Sequence, residues 1–115
     1  MNGSDDFIIQ ITSDSYGGSS GGLGENLMKA YIYALTETIP RPKTILFINT
    51  GAYLTAEGSA VLDSLKTLEA EGVEIMTCGT CIDYFNLCKK PEVGTVTNMY
   101  TMVGKINNAG NTIII

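Results

Sequence analysis

The chain has 115 residues and a net charge of −5, with three cysteines and neither histidine nor tryptophan. That length fits one domain, residues 1–115, large enough to fold without disulfide staples. Without imidazole there can be no Ser-His-Asp triad, Cys-His dyad or HExxH zinc site, so any catalysis must use thiols, carboxylates, lysine, tyrosine or backbone dipoles.

The first residues, Met1-Asn2-Gly3-Ser4-Asp5-Asp6, lack the basic and apolar regions of a signal peptide. Phe7–Ile11 is an apolar, β-branched run and predicts a buried strand. Thr12-Ser13-Asp14-Ser15 ends it, and Tyr16 to Gly24 is a Gly/Ser-rich loop. A helix is predicted from Glu25 to Thr38, with Leu27, Tyr31, Ala34 and Leu35 on one face, stopped by Pro40 and Pro42. Thr44–Ile48 reads as a second buried strand, followed by a loop over Asn49–Leu54. Thr55 is a candidate cap for a helix reaching Glu71, with Glu57 near its positive end and Gly72 as its C′ residue.

Val73–Thr77 predicts a third strand that runs straight into Cys78-Gly79-Thr80-Cys81 and a short helix from Ile82 to Leu87. Val93–Val96 reads as a fourth strand. Asn98 caps a helix carrying Met99, Met102, Val103 and Ile106 and closed by Gly110, before a last strand over Thr112–Ile115. This βαβαβαβαβ alternation, with strands apolar throughout, predicts a three-layer α/β/α sandwich. Its five-stranded parallel sheet would have flavodoxin-like or related topology.

In such a sheet ligands bind beyond the carboxyl ends of the strands. Those ends present Ser13 and Asp14, then Asn49, Thr50 and Gly51, then the Cys78-Gly79-Thr80-Cys81 motif, then Thr97 and Asn98. A thiol just before a helix N-terminus is biased toward thiolate, the form that attacks sulfur or accepts it as a persulfide. Cys78 is therefore the candidate nucleophile and Cys81 the candidate resolving thiol, with Gly79 and Thr80 lining the site. Cys88, alone after Leu87, reads as a small buried hydrophobe.

No metal site is expected, because a structural zinc site shows a second close ligand pair. No cofactor is expected either: Tyr16 to Gly24 contains no Gly-Lys-Ser/Thr and no GxGxxG in register. That loop reads as a cover over the cysteine edge, with a flavin-phosphate loop as the alternative. The basic residues are scattered apart from Lys89-Lys90, which argues against nucleic acid as a partner. No apolar run approaches the roughly 18 residues needed to span a membrane. A cytoplasmic location with reduced thiols is expected.

The sequence resembles the C-terminal DsrE-like domain of the YedF family, described as sulfurtransferase-like proteins of selenium metabolism. The resemblance is carried by Ser13-Asp14 with the Gly-rich loop and Leu23-Gly24, and by Leu27-Met28-Lys29 and Ala34-Leu35-Thr36-Glu37. It continues through Ile45–Gly51, Leu54–Ser59, Cys78–Cys81 and Val93–Tyr100. It implies a DsrE-like fold and, as in some members of the wider DsrE/DsrF/TusD family, a persulfide carried on the cysteine in the position of Cys78. It also implies homo-oligomers and a sulfur-transfer partner, such as the TusA-like domain that precedes this one in YedF-like proteins and is not in this chain. Thioredoxin also carries CxxC, but early in its fold and with a later cis-proline beside it; here the motif follows the third strand. The competing reading is a non-catalytic binding or assembly module with incidental cysteines.

Overall fold

The computed structural model describes residues 6–18, 21–87 and 91–115. Cys88, Lys89 and Lys90 lie outside the described residues, as do Ser19 and Ser20 of the Gly-rich loop and the first five residues.

Five parallel strands form one sheet: β1 (Phe7–Ile11), β2 (Thr44–Phe47), β3 (Glu74–Cys78), β4 (Thr95–Thr97) and β5 (Asn111–Ile114), in the order β4-β3-β2-β1-β5. The helices are α1 (Leu23–Glu37), α2 (Leu62–Ala70), α3 (Gly79–Tyr84) and α4 (Met99–Asn108). The chain steps outward from β1 to β4. Then α4 carries it back across the sheet to β5 on the other side of β1.

Strand residues alternate between faces, and the register aligns like with like: Ile9 opposite Ile45, and Ile45 opposite Ile75. One face buries Ile9, Ile11, Ile45, Phe47 and Ile75 against Met28 and Ile32 of α1 and Leu65 and Leu68 of α2. The other buries Ile8, Leu46 and Cys78 against Met102 of α4. Each fully buried aliphatic side chain contributes about 1.5–3 kcal/mol through the area it removes from water. Both faces are therefore covered, which makes the fold a three-layer α/β/α sandwich as the apolar strands predict.

Most boundaries shift by a residue or two from the sequence expectation, and a few shifts matter for the site. Thr55 does not cap a helix: it is buried at the end of a 3-10 segment spanning Asn49–Thr55. Its hydroxyl donates to the Ala52 carbonyl at 3.1 Å and lies 2.8 Å from the Thr77 hydroxyl. The helix proper starts at Leu62, after Gly58 turns the chain at φ 89°. The short third helix begins directly after β3 at Gly79 and is over by Phe85, so Gly79, Thr80 and Cys81 form its first turn.

The fourth strand starts at Thr95. Val93 instead plugs the core, and Gly94 turns at φ 76° against the Ile75 carbonyl, where any Cβ would collide with it. Among the described residues, no helix is long and apolar enough to cross a membrane.

Candidate functional site

The site is built where β2 and β3 end side by side. Cys78 is the last residue of β3 and is buried, 5% exposed, with its side chain among Ile8, Leu46 and Met102. One turn later Cys81 projects from α3 and is partly exposed, resting against the same cluster. Both are free thiols, and Cys81 packs against the apolar cluster to which Cys78 belongs.

The end of β2 supplies the third member. Asn49 adopts a left-handed conformation, φ 54°, which asparagine tolerates better than most residues. From there its backbone N–H donates to the Cys81 sulfur at 3.1 Å. Two neighbours hold this corner. The Gly51 N–H donates to the Ile48 carbonyl at 2.9 Å, and Gly51 lies so close to β1 that an added Cβ would sit 2.5 Å from the Ile11 carbonyl oxygen. The Tyr53 and Phe85 rings stack at a centroid distance of 4.9 Å, tying the 3-10 segment to the residue that ends α3.

The Cys81 thiol is pushed above its ordinary value. Burial is the main cause, the neighbouring Cys78 adds to it, and the Asn49 N–H opposes it. The backbone amides of α3 do not reach Cys78: its side chain makes no capping hydrogen bond. The donor expected after Cys78 is thus supplied from another strand and to the other sulfur.

Of the remaining strand-end residues, Thr50 accepts a long hydrogen bond, 3.4 Å, from the Asp14 N–H and so draws the end of β1 toward that of β2. Gly79 packs against β4, where a Cβ would lie 3.0 Å from the Val96 side chain. Thr80 is exposed at the rim. Ser13 and Asn98 are engaged locally: Ser13 accepts from the Ser15 N–H at 3.0 Å, and Asn98 caps α4 by accepting from the Thr101 N–H at 2.9 Å. The structure therefore brings Cys78, Cys81, Asn49 and Gly79 together, with Thr50, Gly51 and Asp14 behind them.

Sequence reasoning missed the buried Thr55–Thr77 hydroxyl pair just before the motif. Its signal was the threonine at the end of an otherwise apolar strand. Two concavities lie elsewhere. One of about 720 Å³, lined by Ile39–Lys43 and Glu71–Val73, opens at the amino ends of β2 and β3, away from both thiols. Another of about 250 Å³ lies between Asp14, the start of α1 and Tyr53. Among the described residues no three Cys, Asp or Glu side chains gather where a metal ion could sit.

The fold and this site together define a three-layer α/β protein with a cysteine pair where its third strand ends. No family model and no curated protein matches the sequence. Several solved structures match its fold. The ychN protein from E. coli superposes with a TM-score of 0.73 at 15% identity, over 96% of this chain and 99% of that one. A conserved protein of unknown function, BT1422 from Bacteroides thetaiotaomicron, superposes with a TM-score of 0.61 at 15% identity, over 96% and 95%.

Proposed function

We propose that the protein is a persulfide carrier of the sulfur-relay kind, loading sulfur on its Cys78–Cys81 pair. The observation that carries this reading is a pair of free thiols, one ending β3 and one in the first turn of α3, that share one apolar cluster, the second receiving the Asn49 backbone N–H just beyond β2. A persulfide needs a thiol that a donor can reach, and a fixed N–H stabilises the sulfur anion formed when the bond to the carried atom breaks. The DsrE-like fold supports the same reading by resemblance, and so does the YedF-like sequence pattern. Selenium would be carried by the same chemistry. On this reading sulfur arrives from, or leaves to, a separate transfer protein such as a TusA-like domain. The working form is a homo-oligomer in the reducing cytoplasm.

The test is loading. Reduced protein alkylated early after mixing with a persulfide donor should carry one sulfur atom on the Cys78–Cys81 peptide, and a Cys78→Ser/Cys81→Ser double variant should carry none there at any time. Wild type that neither carries sulfur at early times nor releases hydrogen sulfide would leave the non-catalytic assembly module as the better account.

A further inference from the structure

Taking the carrier reading as its basis, we propose that Cys81 is the sulfur that accepts the load and Cys78 the buried partner that discharges it as sulfide. The division follows from position. Cys78 is 5% exposed and packs in one cluster with Ile8, Leu46 and Met102, so a donor from solution reaches it far less readily than it reaches Cys81. Cys81 is partly exposed and is the sulfur at which the Asn49 N–H points, 3.1 Å away. Cys81 lies one helical turn beyond Cys78 and packs against the same cluster, so the electrophile nearest Cys78 is whatever forms on Cys81.

The steps balance. A donor persulfide, R–S–SH, gives its outer sulfur to Cys81. An S–S bond forms at Cys81, the donor S–S bond breaks, and the Cys81 proton leaves with the donor as R–SH. Cys78 then attacks the inner sulfur of the Cys81 persulfide. The Cys78–Cys81 disulfide forms and the outer sulfur leaves as hydrosulfide, taking the Cys78 proton to become hydrogen sulfide. The carried sulfur is reduced and the two thiols are oxidised, so no further oxidant takes part. A dithiol reductant returns the pair to its starting state. An acceptor thiol that reaches Cys81 first intercepts the sulfur, so the pair discharges only what no partner collects.

The experiment uses the full chain and cysteine persulfide as the probe, with alkylation and peptide mapping to locate the sulfur. Cys78→Ala should hold its load on Cys81 for at least about tenfold longer than wild type. Wild type should convert to the disulfide with one hydrogen sulfide released per chain. Cys81→Ser should lose loading about tenfold or more. Loading of Cys81→Ser at the wild-type level, with the sulfur on Cys78, overturns the assignment.

A second measurement separates this from failure of the carrier reading itself. In untreated native wild type, an alkylating probe should modify Cys81 about tenfold faster than Cys78. Faster modification of Cys78 overturns the inference whether or not any persulfide forms. If Cys81 is the faster thiol but wild type neither carries sulfur at early times nor releases hydrogen sulfide, both the carrier reading and the proposed discharge fall.

Discussion

Cys81 is held between opposing influences. Burial and the adjacent Cys78 favour its protonated form, while the Asn49 N–H favours the thiolate, and the balance lies toward the proton. Cys81 thus rests as a thiol rather than as a thiolate open to any oxidant. A more basic thiolate, once formed, is also the stronger nucleophile toward sulfur. The consequence is measurable. An ordinary cysteine titrates near about 8.5, so its alkylation rate levels off above that pH. The Cys81 rate should keep rising beyond it. Cys78→Ala removes one of the raising causes and should move the midpoint down; an unchanged or higher midpoint in that variant would contradict the influence of Cys78 on Cys81. The left-handed Asn49 that aims the N–H is a matter of backbone geometry at a strand's end. No hydrophobic pattern encodes it, which is why the sequence placed Asn49 in the site but not its partner.

At the level of elements, periodicity located β1 and β2 closely, because β-branched residues such as Ile8, Ile9 and Ile45 are buried on one face or the other. The Asn98 cap was equally legible, since it is a local side-chain-to-backbone bond. What local rules missed was decided by distant contacts. Thr55 looks like a cap, but its hydroxyl meets Thr77, 22 residues away. The start of α3 was misplaced because a six-residue helix is too short to show a period.

The attachment of α4 to the sheet is another distant contact of this kind. Lys105 of α4 reaches Glu74 at the start of β3 at 2.8 Å, and the Thr44 hydroxyl donates to the same carboxylate oxygen at 3.1 Å. The Lys105 bond holds the Glu74 carboxyl below its usual value, against the opposing effect of burial, with Thr44 and the Lys105 and Lys43 charges assisting. A carboxyl more acidic in the folded state stabilises the fold above its unfolded pKa and loses that contribution as pH falls through the folded value. Lys105→Met should therefore cost stability at neutral pH. Both partners are substantially exposed, so the cost should stay below about 1 kcal/mol. Denaturant titrations of the variant and wild type should converge in acid. A gap that persists at low pH would mean that Lys105 acts by packing its stem rather than through its charge.

Across the molecule, the two faces of the sheet are covered unequally. Two helices shield one face, while α4 serves the other and buries Met102. That leaves Met99, Tyr100 and Val103 exposed on α4, with Val96 exposed on the adjoining edge strand β4. None of these four side chains is charged, although the chain carries −5 overall. A two-fold contact between copies would cover such a patch with itself, and this is the surface through which the proposed homo-oligomer would form. Val96 also borders Gly79, so assembly here would bring a second copy to the rim of the cysteine site. Apolar contact between like-charged chains strengthens as salt screens their repulsion. Sedimentation should therefore show association that rises with ionic strength and is lost in Tyr100→Asp. Tyr100 is 92% exposed, so that variant should unfold within about 0.5 kcal/mol of wild type. A wild type that stays monomeric in high salt would remove this patch, and the oligomer with it, from the account of how sulfur is passed on.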